Sequence, residues 1–122
     1  MVKLDHLGLF VSDPKQSAAF YVDHFGFAIE MEPPDGNMIA IQDDAGFTIF
    51  LARDPERALA AACDLFLQVD DVEHKFAELS ARGVSFAKAP QKLFWGYGAE
   101  VLDPDGYRVH LWDEKSMREK GS

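Results

Sequence analysis

Five side chains of this 122-residue chain could carry chemistry: His6, Asp64, Glu100, Arg108 and His110. An imidazole can bind a metal or move a proton near neutral pH. His6 could do either, or simply be hydrogen-bonded beside Asp5; His110 could do either, or be held by Glu100 or Asp64. A carboxylate facing a pocket needs a cation, which for Asp64 is a metal or Arg108. Glu100 can act as a general base where its surroundings raise its pKa, and otherwise serves as an ion-pair partner. His24 near a helix end and His74 on a helical surface receive no role. Cys63 has no neighbouring histidine or lysine to activate it and reads as an inert small side chain. Trp95, Tyr97 and Trp112 can stack on a flat ligand or pack in a core.

The elements that must position these residues come in two copies. Asp43-Asp44-Ala45-Gly46-Phe47-Thr48-Ile49-Phe50-Leu51 lies 60 residues before Asp103-Pro104-Asp105-Gly106-Tyr107-Arg108-Val109-His110-Leu111. His6 to Asp13 lies 58 residues before Asp64 to Asp71. Each echo joins a turn or loop to a strand pattern, the mark of a duplicated supersecondary unit. Val2 to Ser12 alternates as a strand; Ser12-Asp13-Pro14 opens a helix with apolar face Ala18, Ala19, Tyr21, Val22 and Phe25, closed by Gly26. Strands near 27–32, 37–42 and 47–52 follow. After a linker, 53–62, with a helical turn through 56–60, the order restarts. A strand at 64–69 precedes a helix capped by Asp70 or Asp71, with face Val72, Phe76, Leu79 and Ala81 and stop Gly83. Strands at 84–87, 94–102 and 107–112 complete it. Module one therefore spans 2–52 and module two 63–113, and the polar tail 114–122 is expected to fray.

Turn chemistry fixes which residues share a face. Pro104-Asp105 suits a type I turn and Gly106 the left-handed position after it. Asp103 then stands opposite Tyr107, Leu102 opposite Arg108, and Glu100 opposite His110. Gly98 faces Trp112, whose ring would cover it, and Ala40 faces Phe50. Tyr107, Val109 and Leu111 go to the helix, as do Leu7, Leu9 and Val11, and Leu65, Leu67 and Val69. Period two leaves His6, Phe10, Phe50, Asp64, Phe66, Gln68, Glu100, Arg108, His110 and Trp112 on the faces away from the helices. If those faces curve toward each other, they form a largely aromatic pocket with a few polar groups, the make-up of a small-molecule site.

The totals narrow the class. At 48% hydrophobic the chain has enough apolar material for one domain with a true core. Twelve basic against 21 acidic residues give a net charge of −9, which repels nucleic acid and anionic membrane and could attract a cationic ligand. Lys3, Asp5 and His6 interrupt the first apolar run, so no signal peptide is expected, and no stretch is long enough for a membrane span. One cysteine allows no internal disulfide, which points to the cytoplasm.

The duplicated order, the opening His6-Leu7-Gly8-Leu9 and the stretch from Gly96 to Leu111 resemble the vicinal oxygen chelate superfamily, which includes glyoxalase I, extradiol dioxygenases and bleomycin-binding proteins. The resemblance covers residues 2 to 113. It implies an α+β fold, two tandem βαβββ modules forming a curved, half-barrel mixed sheet around a groove, and a homodimer. It also implies metal-ligand positions on the first and last strand of each module. These fall on His6, Phe50, Asp64 and His110, so three of four can ligate. Two histidines and a carboxylate suit a divalent metal such as iron, manganese, zinc or nickel. Phe50 and His110 occupy both positions where glyoxalase I carries a glutamate, which argues against that activity.

Two functions follow from different classes. One is a metal-dependent lyase, isomerase, transferase or dioxygenase on an oxygenated substrate. In it His6, Asp64 and His110 hold the ion, Glu100 is the acid/base, and Phe10, Phe50, Phe66, Gln68, Arg108 and Trp112 bind substrate. The other is a cofactor-free protein of the bleomycin-binding type that sequesters a cationic aromatic compound. Either way the partner is a small molecule.

Overall fold

The duplicated turns close by the same bonds. In the computed structural model, which describes residues 1–60 and 62–122, the Asp43 Oδ1 accepts from the amides of Ala45 and Phe47 at 3.0 and 2.8 Å. Asp103 Oδ1 accepts from Asp105 and Tyr107, both at 2.9 Å. Gly46 N donates to Asp43 O and Gly106 N to Asp103 O, and both glycines take a left-handed φ, 90° and 88°. An aspartate that accepts from its own turn followed by a glycine at positive φ is what the repeat encodes.

The chain divides into two units, 1–61 and 62–122. The first runs β1 (His6–Val11), α1 (Pro14–Phe25), β2 (Ala28–Met31), β3 (Met38–Gln42), β4 (Thr48–Arg53) and the short α2 (Pro55–Ala58). The second runs β5 (Asp64–Gln68), α3 (Val72–Ala81), β6 (Phe86–Leu93), β7 (Gly96–Leu102), β8 (Arg108–Trp112) and α4 (Glu114–Lys120). The sheets are ordered β1-β4-β3-β2 and β5-β8-β7-β6. In each, the first and last strands pair in parallel and the rest antiparallel. The architecture is α+β, two tandem βαβββ modules, as the repeat predicts.

Capping explains the helices. Asp13 accepts from the amides of Lys15 and Gln16, Pro14 fills the first turn, and Gly26 ends α1 at φ 73°. Asp71 caps α3 through His74 N at 3.0 Å. The faces toward α1 and α3 supply the core: Leu9, Val11, Tyr21, Ile39, Ile41, Ile49 and Leu51 in the first unit, and Leu65, Val72, Leu79, Val101, Val109 and Leu111 in the second, all buried. Each such side chain contributes about 1.5–3 kcal/mol by leaving water. The predicted registers hold: Ala40 opposite Phe50, Leu102 opposite Arg108, Glu100 opposite His110.

Several expectations are corrected. Residues 114–120 do not fray but form α4, because Asp113 caps it: Oδ1 accepts from Ser116 N at 2.6 Å and Oδ2 from Ser116 Oγ at 3.0 Å. The same carboxylate accepts from Val72 N, the first amide of α3, at 2.7 Å, so one buried residue closes the starts of two helices. The strand expected at 84–87 runs instead from Phe86 to Leu93, with register shifts between Phe86 and Gln91. The following strand starts at Gly96 rather than 94, since Phe94 and Trp95 turn the hairpin. Leu7, assigned to the helix side, stays 40% exposed, and Ala19 and Ala81 are exposed as well. The helical turn in the linker is Pro55–Ala58, and Ala61 lies outside the described residues. Among the described residues no helix is long and apolar enough to cross a membrane.

Candidate functional site

Parallel pairing of β5 with β8 sets Asp64 beside Arg108, Phe66 beside His110, and Gln68 beside Trp112. Antiparallel pairing of β7 with β8 sets Glu100 on the other side of His110. These residues therefore gather on one face of the second sheet. His110 is buried, and its Nε2 lies 3.0 Å from Asp64 Oδ2. Its Nδ1 faces Glu100 Oε1 at 3.7 Å, beyond hydrogen-bond reach, and has no hydrogen-bond partner among the described residues. An ionised Asp64 can only accept, so Nε2 carries a hydrogen and Nδ1 is the nitrogen turned toward Glu100. Phe66 stacks on the imidazole with centroids 4.3 Å apart at 17°. Trp95 packs edge-on to both rings, 5.2 Å from Phe66 and 5.6 Å from His110. Phe66 is nonetheless 50% exposed, so one aromatic face of this stack is open.

The first unit builds its face from the equivalent positions with other residues. His6 on β1 stacks on Phe50 of β4, 4.5 Å and 30° apart, and its Nδ1 lies 3.0 Å from Asp5 Oδ2. That contact holds the Asp5 carboxyl below its ordinary value. Phe10 lies under the Arg57 guanidinium, 4.3 Å from ring centroid to Cζ. Gln68 in the second unit donates to Glu114 of α4 at 3.2 Å. Arg108 is exposed and Trp112 half-buried.

Asp64 thus takes His110, not Arg108, as its partner, and Trp95, not Trp112, covers Gly98: a Cβ there would collide with the Leu111 carbonyl and meet Trp95 Cη2 at 2.5 Å. The sequence leaves Trp95 open between stacking on a ligand and core packing, and gives no sign of Arg57. Trp95 sits in a hairpin turn where alternation gives no face. Arg57 reaches Phe10 from a helix that follows the strand pattern.

The donors can be tested against a metal. The two nitrogens of an imidazole point in opposite directions, so Asp64 and Glu100 lie on opposite edges of His110 and cannot share one ion with it. Among the described residues no group of three or more His, Cys, Asp or Glu is arranged to hold an ion. The second-unit site offers instead a fixed imidazole, an open aromatic face and a partly exposed carboxylate.

A family model described as the Glyoxalase/Bleomycin resistance protein/Dioxygenase superfamily matches residues 3–111. The solved structure of TnmS3, an antibiotic binding protein from Streptomyces sp. CB03234, is 27% identical with a TM-score of 0.74, over 92% of this chain and 96% of that one. A lactoylglutathione lyase from Agrobacterium tumefaciens is 19% identical with a TM-score of 0.70, over 90% and 92% of the two chains. A possible glyoxalase from Bacillus cereus is 18% identical with a TM-score of 0.76, over 91% and 98%. At 18–19% identity the likeness shows the fold alone. No curated protein matches the chain in sequence.

Proposed function

The chain belongs to the glyoxalase/bleomycin resistance protein/dioxygenase superfamily, and on that premise we propose that it binds a flat aromatic small molecule without a metal and without transforming it. The observation that carries this reading is the half-open stack of Phe66 on His110 with Trp95 at its edge. A buried imidazole clamped by Asp64 is a rigid backing, and the exposed Phe66 face above it is the surface a planar ligand would cover. The likeness to an antibiotic binding protein at 27% identity supports a sequestering role over a catalytic one. Composition and family resemblance support a homodimer working in the cytoplasm.

Trp95 supplies the assay. A panel of naphthalene derivatives should quench its fluorescence saturably, and Phe66→Ala should weaken binding about tenfold, on the order of 1.4 kcal/mol. No binding by any member would overturn the reading.

The competing reading is a metal-dependent enzyme with His6, Asp64 and His110 on the ion and Glu100 as base. It is supported by donors standing at three of the four strand positions the family uses. Metal analysis of the native protein beside an Asp64→Ala, His110→Ala variant separates the two. Stoichiometric metal lost in the variant would favour the enzyme.

A further inference from the structure

Eight of the nine glycines are required by the structure around them. Gly26, Gly36, Gly46, Gly83, Gly96 and Gly106 have positive φ, and at Gly98 and Gly121 a Cβ would collide with neighbouring backbone. Gly8 is different. Its φ is not positive, and a Cβ built on it meets no heavy atom within 4 Å. A glycine inside a strand weakens it and often marks a place where a ligand approaches the backbone closely.

Stacked pairs stand on either side of Gly8 along β1. His6, Gly8 and Phe10 point to the same face of β1 by period two. Phe50 is the register partner of Gly8, yet its ring lies on His6 and leaves the space above the glycine open. At the other end the Arg57 guanidinium lies over Phe10. Four strand residues span about 13 Å, enough for a fused two-ring system lying over the glycine between the two stacked pairs. The equivalent position in the second unit is Phe66, which fills that space with a ring.

Arg57 sets the polarity of the ligand. Its π face is used on Phe10, its side chain is 64% exposed, and it is ion-paired with Asp54 through Nε, which lies 3.9 Å from Oδ2, longer than a hydrogen bond. The exposed Nη side of the guanidinium faces a planar acceptor, and a carboxylate matches its fork.

We propose that the first unit carries a slot for a planar aromatic carboxylate: the ring lies over Gly8 between His6 and Phe10, and the carboxylate meets Arg57. This rests on the aromatic-binding reading and names a chemical class for it. Binding is measured by calorimetry with naphthalene-2-carboxylate, naphthalene-2-carboxamide and 2-naphthylmethylammonium. The carboxylate binds tightest. Gly8→Phe, which copies the second unit onto an unstrained backbone, reduces its affinity at least tenfold, and Gly8→Ala reduces it less. Arg57→Met, which keeps the stem on Phe10, removes the preference for carboxylate over carboxamide. Unchanged affinity in Gly8→Phe, or an ammonium compound that binds as tightly as the carboxylate, would overturn the slot. If Gly8→Phe binds normally while Phe66→Ala does not, only the slot falls; if nothing binds the native protein, the aromatic-binding reading falls with it.

Discussion

On the first unit a histidine of the opening strand, His6, stacks on a phenylalanine of the closing strand, Phe50. On the second unit the closing strand carries the histidine, His110, and the opening strand supplies the phenylalanine, Phe66. The pairing of strands is the same, but the opening-strand rings stand at different positions: Asp64 is the counterpart of His6, and Phe66 the counterpart of Gly8. The consequence is burial. His6 is 44% exposed and bonds to its neighbour Asp5, whereas His110 is 5% exposed and sits between two carboxylates. The first unit keeps a gap at Gly8 and carries Arg57 over Phe10; the second fills the gap with Phe66 and sets Asp64 and Glu100 against His110. A duplicated frame thus carries two differently furnished faces.

A second contrast lies where the last strand meets the first helix. Arg53 Nη1 donates to Ser12 O at 3.1 Å in the first unit. At the equivalent place in the second, Asp113 accepts from Val72 N. The same join is made with reversed polarity, once at the surface and once buried.

This second contrast predicts the largest effect. Asp113→Ala leaves the Val72 amide of α3 and the Ser116 amide of α4 without their acceptor and should cost about 3 kcal/mol, while Arg53→Ala should cost under about 1 kcal/mol. Urea denaturation of both variants measures the difference, and equal losses would erase the contrast. Burial alone would raise the Asp113 carboxyl, but the Ser116 and Val72 amides and the Ser116 hydroxyl outweigh it and hold it below its ordinary value. A lowered folded value stabilises fully above the unfolded value near about 4 and is lost as pH falls through the folded value. Acidification should therefore destabilise the native protein across that window more than Asp113→Ala.

Next in size is Gly98→Ala. Its methyl would strike the Leu111 carbonyl and the Trp95 ring, costing about 2 kcal/mol and displacing Trp95. The first unit carries Met38 at this place, so an unperturbed variant would show that the second unit is no tighter here than the first. A smaller effect than Gly98→Ala is that of Phe66→Ala on stability, about 1 kcal/mol, because half of the ring is already exposed. A red-shifted Trp95 emission should accompany it. An unchanged spectrum would mean that the stack does not hold the indole.

The duplication was legible because its turns are local. Asp43 and Asp103 bond to amides two and four residues on, and nothing distant is needed to predict that. Register followed from the same turns, so the pairing of Glu100 with His110 could be counted in advance. The tail was misread because a polar helix with no buried face carries no periodic signal; only its cap, Asp113, marked it.

By itself the sequence determined the duplicated order of elements, the registers of the β3–β4 and β7–β8 hairpins and which of their residues share a face, since each follows from backbone geometry over a few residues. Tertiary structure decided which of those neighbours became partners. Asp64 chose His110 over Arg108, Trp95 covered Gly98 in place of Trp112, and Arg57 came to rest on Phe10. Side-chain pairing across strands depends on where each ring and charge finds contact within a few ångströms, and alternation along a strand carries no record of that.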